Sequence, residues 1–116
     1  MSGEIITTSS GLRIIVDEKG KGVIPSKGQK VKVHYTGMME AGTIFDSSVT
    51  RNQPFEFPLG EGRVIKGWDE AVAQLPVGSK ATLVIPPELG YGDRGAPPKI
   101  PGGSILVFEI EILEVS

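Results

Sequence analysis

The residues able to do chemistry in this 116-residue chain are few, and the shortage is itself informative. His34 is the only histidine and there is no cysteine, so neither a two-histidine metal site nor a thiolate nucleophile can be assembled. His34 falls on the polar side of an alternating segment, where an exposed, inert role is the simplest reading. Ser47 and Ser48 follow Asp46 in a turn-like string with no base beside them, the setting in which serines satisfy backbone groups. Gly60, Gly62 and Gly67 loosely suggest a phosphate loop, but no Gly-Lys-Ser/Thr follows. Glu109 and Glu111 are alternate residues of one strand and read as solvated. Asp46 has a natural partner in Arg51, five residues on, and the pair either pins its loop or serves a site. What remains is aromatic. Of the seven aromatic residues, Tyr35, Phe45, Phe55, Trp68, Tyr91 and Phe108 are candidates to converge on one pocket. Singly each reads as ordinary core, but a small core rarely needs six large rings, and Trp and Tyr have polar tips that want partners.

Composition sets the bounds. The length suits one domain with one core. Hydrophobic content is 39%, and 16 glycines with nine prolines predict short elements joined by many turns. A net charge of −2 without a basic run argues against nucleic-acid and membrane surfaces. The opening MSGEIITTSS has no basic flank or apolar run of signal-peptide length, and no stretch approaches a membrane span. The expectation is a cytoplasmic, monomeric protein with no metal and no cofactor.

The elements that must carry these residues are mostly strands. Residues 1–11 are polar and β-branched, an extension that is frayed or adds an edge strand; residues 12–116 form the domain. Leu12–Lys19 reads as a strand. Lys30–Thr36 alternates Val31, Val33 and Tyr35 against Lys30, Lys32 and His34, the period-two pattern of a half-buried antiparallel strand. Gly37 and Gly42 then bracket a turn. Thr43–Ser47, Phe55–Pro58, Lys80–Ile85 and the segment from Leu106 onward are further strands. Helical spacing occurs once, at Ile65, Trp68, Val72 and Leu75, and Pro76 and Gly78 end it. Pro86–Ser104 holds five prolines and five glycines without periodicity. A loop of that length is uncommon unless functional or mobile, and it reads as a flap over a pocket.

Five strings carry a family likeness: VHYTG (33–37), FDSS (45–48), PFEFPLG (54–60), VIKGWDEAV (64–72) and LGYG (89–92), followed by IP (100–101) and LVFEIE (106–111). In order and spacing they resemble the FKBP-type peptidyl-prolyl isomerases, from about Gly28 to Val115. The resemblance implies an α+β fold, a twisted five- to six-stranded antiparallel sheet wrapped around one short amphipathic helix. It implies rotation of Xaa–Pro bonds in an apolar pocket, with proline-containing peptides and proteins as substrates and macrolides of the tacrolimus and rapamycin type as ligands. By the same resemblance Tyr35, Asp46, Phe55, Ile65, Trp68, Tyr91 and Phe108 form the catalytic set. Trp68 is the floor, Tyr35, Phe55 and Phe108 the walls, and the Ile65 N–H and Tyr91 hydroxyl donate to substrate carbonyls. Phe45, Arg51, Val64, Ala96, Lys99 and Ile100 complete the ligand surface, Ile100 closing the flap side. Ala96 and Lys99 stand where the family commonly has His and Ile, which touches substrate preference and drug affinity. The alternative reading is a non-catalytic module that holds a partner or ligand in the same pocket.

Overall fold

In the computed structural model, which describes residues 4–116, seven strands form one antiparallel sheet around a single α-helix. The strands are β1 (Glu4–Thr7), β2 (Arg13–Glu18), β3 (Lys30–Met39), β4 (Ile44–Ser47), β5 (Phe55–Pro58), β6 (Lys80–Ile85) and β7 (Leu106–Val115). The order across the sheet is β1-β2-β6-β7-β3-β4, with β5 also paired to β3. The α+β arrangement is the expected one, but the strand count exceeds the expected five or six. Two features account for this. Glu4–Thr7 pairs with β2, Ile5 opposite Ile15 and Ile6 opposite Ile14. The ten-residue β3 is also long enough to hold two short partners on one edge, β5 along Lys30–Val33 and β4 along Thr36–Met38. Residues 1–3 of the expected extension lie outside the described range.

Strand β3 does not stop at Gly37. It runs on to Met39, pairing Gly37 with Asp46 on one side and Phe108 on the other. Gly37 shares the buried face with Val31, Val33 and Tyr35. A Cβ there would lie 2.6 Å from Phe108 Cε2 and 2.8 Å from Phe45 Cζ. Glycine is thus required by two rings brought from distant strands rather than by a turn.

The helix α1 (Lys66–Val72) packs against β6. Its apolar stripe is longer than its helical turns: Ile65 is the N-cap, and Leu75, fully buried, sits on the tight turn that follows. Gly67 lets the helix approach the sheet, since a Cβ there would strike Ile85 at 2.8 Å. The Asp69 carboxylate accepts the N–H groups of Gly60 (2.8 Å) and Gly62 (3.1 Å), tying the preceding loop to the helix. Ile14, Val31, Val33, Leu83, Ile85, Leu106 and Ile112 supply fully buried sheet side chains to the core.

The Pro86–Ser104 segment is folded back on itself. It opens with a 3-10 turn over Pro87–Leu89 and closes through a hairpin in which Ala96 and Ile100 exchange backbone hydrogen bonds of 2.8 and 3.1 Å. Leu89 and Ile100 anchor it in the core.

Candidate ligand pocket

Over the N-terminal end of α1 opens a cavity of about 190 Å³, lined by Tyr35, Phe45, Asp46, Phe55, Arg63, Val64, Ile65, Trp68, Tyr91 and Phe108. Each wall comes from a different element. Strand β3 gives Tyr35, β4 gives Phe45 and Asp46, β5 gives Phe55, the turn into α1 gives residues 63–65, and β7 gives Phe108. Trp68 is 4% exposed and sits at the centre of the aromatic set. Its ring centroid is 5.0 Å from Tyr35, 5.3 Å from Phe108 and 6.1 Å from Phe55, all edge to face. Phe45 meets Phe108 edge to face at 5.6 Å. Such T-shaped pairs are favourable beyond the area they bury, so the walls hold one another in place. Phe57, the seventh aromatic, packs behind Phe55 and Trp68 in the core instead.

The polar groups fall into two classes. Asp46 is fully engaged: it accepts the Tyr35 hydroxyl at 2.5 Å and forms an ion pair with Arg51. Arg51 also donates to the Tyr35 oxygen at 3.1 Å and lies 5.8 Å from that ring's centroid. Burial pushes the Asp46 carboxyl upward, but the hydrogen bonds from Tyr35 and Arg51 outweigh it and hold the group below the usual carboxylate range. Burial and the bond to Asp46 raise Tyr35 in turn, so its hydroxyl stays protonated. A carboxylate with both oxygens committed is a poor general base. The second class is unspent. The Ile65 N–H, the Tyr91 hydroxyl and the Trp68 indole N–H have no acceptor among the described residues. Tyr91 is 41% exposed, and burial together with the negative charge of Asp46 raises its pKa.

The structure brings together most of the expected site residues and leaves four outside. Arg51 stands behind Asp46 and Tyr35 rather than in the wall. Ile100 is not among the cavity's lining residues; it is 4% exposed and belongs to the core cluster. Ala96 packs against that core, and Lys99 reaches away to donate to the Phe45 carbonyl at 3.2 Å. Arg63 is a wall residue that sequence reasoning missed; its place directly before Val64 and Ile65 was the available signal. His34 is half-buried, not exposed, with Nδ1 2.9 Å from the Ser48 hydroxyl. Ser48, fully buried, accepts the Tyr35 N–H at 2.8 Å and so fixes the strand at the pocket wall. A larger depression on another face, about 290 Å³, is lined mainly by polar residues such as Asp17, Lys80, Glu109 and Glu111 and lacks the aromatic cage.

Residues 21–113 match the family model described as FKBP-type peptidyl-prolyl cis-trans isomerase. The chain belongs to that family. Over 89 residues, 77% of its length, it is 61% identical to the mouse peptidyl-prolyl cis-trans isomerase FKBP2, of which it spans 64%. It is 56% identical over 98 residues to FK506-binding protein 1A of Aspergillus fumigatus, covering 84% of this chain and 88% of that one. Among solved structures the FKBP fold here superposes on AtFKBP13 with a TM-score of 0.92 at 43% identity, over 97% of this chain and 99% of that chain.

Proposed function

We propose that this FKBP domain is a peptidyl-prolyl cis-trans isomerase that turns Xaa–Pro bonds in its aromatic cavity, with no covalent step. The observation that carries the proposal is the pairing of an apolar cavity over Trp68 with two unspent hydrogen-bond donors, the Ile65 N–H and the Tyr91 hydroxyl.

The chemistry asks for little else. Rotation about a peptide bond must break its partial double-bond character, a barrier of roughly 18–20 kcal/mol. The planar amide is charge-separated, whereas the twisted one has a ketone-like carbonyl and a pyramidal nitrogen. A cavity walled by Tyr35, Phe55, Trp68 and Phe108 solvates the less polar, twisted form better than water does. Each tenfold gain in rate needs about 1.4 kcal/mol of such preference. Proline lies over the Trp68 ring, and the preceding side chain points toward the flap. The Ile65 N–H and Tyr91 hydroxyl hold the flanking carbonyls so that the turned geometry is already populated. Asp46 acts by position, keeping Tyr35 upright through a bond whose strength does not change with the substrate.

The same cavity suits a macrolide of the FK506 or rapamycin type, a ligand class supported by the FK506-binding proteins among the relatives. The proposed setting is a cytoplasmic monomer, a reading that rests on the sequence pattern and that sedimentation velocity checks for the oligomeric half. The direct test is cis-to-trans isomerisation of a Leu-Pro or Phe-Pro peptide in the cold, with and without FK506. The expected result is acceleration abolished by a stoichiometric amount of the macrolide. Saturable binding without acceleration would replace the enzyme by a non-catalytic binding module.

A further inference from the structure

We infer that Arg63 makes this pocket selective for an acidic side chain immediately after the proline, an inference that rests on the isomerase reading and extends it to substrate preference. Only two wall residues carry a formal charge, Asp46 and Arg63. Asp46 is neutralised by Arg51 and by the Tyr35 hydroxyl. Arg63 is exposed and forms no ion pair among the described residues. The carboxylates nearest in sequence are occupied or turned away. Asp69 is bonded to the N–H groups of Gly60 and Gly62, and the Glu61 carboxylate lies beside Gly28. The one wall charge left without an ion-pair partner among the described residues is therefore positive, although the chain as a whole carries −2.

Position decides which substrate residue meets this charge. With the residue before proline directed to the flap, the chain leaving the proline runs past the Ile65 N–H, which is two residues from Arg63. A glutamate there pairs with the guanidinium, while a lysine is repelled by it. Both charges stay in water, so one such pair is a discriminator of modest size that weakens as salt rises. It acts on binding more than on the twisting of the amide, and so appears in KM rather than kcat.

The test uses three blocked peptides, Ala-Leu-Pro-Xaa-Ala with Glu, Gln or Lys as Xaa. Isomerisation is followed by NMR exchange and binding by titration, both at low and high salt. The expected order is Glu, then Gln, then Lys, spanning about fivefold in kcat/KM at low salt, carried by KM and collapsing at high salt. Arg63→Glu inverts the order, Arg63→Gln levels it, and Arg63→Lys restores it. Equal values for the three peptides in the wild type, or an unchanged order in Arg63→Gln, overturn the assignment. Binding in the expected order without acceleration of any peptide refutes the isomerase reading and leaves the charge selectivity standing, whereas no binding at all overturns both.

Discussion

Replacing Gly37 by alanine tests whether the pocket walls are set by the packing described above. Gly37 lies within a strand, so alanine by itself favours the folded state by about 0.5–1 kcal/mol through the reduced freedom of the unfolded chain. Against that stands the new methyl group. It falls 2.6 Å from Phe108 and 2.8 Å from Phe45, closer than carbon atoms can approach, and Phe108 is 3% exposed. The backbone cannot retreat, because Gly37 is paired on both sides, to Asp46 and to Phe108. Overpacking of this kind costs about 1–3 kcal/mol. At the middle of both ranges the penalty wins, with a net loss of about 1 kcal/mol. In urea the midpoint, followed by far-UV circular dichroism and by Trp68 fluorescence, falls by roughly 0.5–1 M at an unchanged slope. The displaced rings are also pocket walls, so isomerase kcat/KM drops by about tenfold or more under conditions where the variant is fully folded. A variant at least as stable as the wild type would refute the reasoning. It would mean that the rings move freely and that glycine is no requirement of the cage.

Three more changes probe the polar half of the site. Asp46→Asn removes a carboxylate whose folded pKa is depressed; such a group contributes stability above its unfolded pKa and loses it as pH falls through the folded value. The stability gap between wild type and Asp46→Asn is therefore full near neutrality and narrows below about pH 4, as acid-to-neutral urea titrations will show. Its size is small because both partners are partly in water. Tyr91→Phe leaves the urea midpoint within error, since the hydroxyl has no partner among the described residues, but lowers kcat/KM about two- to tenfold, the range of one hydrogen bond. Ser48→Ala strips the Tyr35 N–H of its buried acceptor and costs about 1–3 kcal/mol in chemical denaturation.

What could be read in the sequence was whatever is decided locally. Lys80–Ile85 and Phe55–Pro58 were read as strands at their true bounds, and three- and four-residue spacing located the one helix. The aromatic cage was legible because its members are large and few. Gly37 was misjudged because glycine signals a turn wherever only neighbours are considered, whereas its reason comes from rings in β4 and β7. The flap side was less legible. Ala96, Lys99 and Ile100 lie where no periodicity tells one face from another, and the direction of the Ile100 side chain follows from a hairpin that closes only in three dimensions. Arg63, between a glycine and an apolar pair, had no pattern of its own. Ser48 appeared to be a turn residue, and only the fold shows it bonded to the backbone of a strand thirteen residues earlier.

The pairing of β3 with β7 also bears on how the molecule is made. Val31 lies opposite Val115 and Gly37 opposite Phe108, so the ladder that frames the pocket joins an early segment of the chain to its last strand. Contacts so distant along the chain are slow to form, since a long loop must close before any of them stabilises the fold. During synthesis the first six strands and the helix emerge with no seventh strand to join β3 to β6, and the cage lacks the Phe108 wall until Leu106–Val115 has left the ribosome. A protein proposed to hasten the folding of others therefore completes its own working surface only when its last strand has paired.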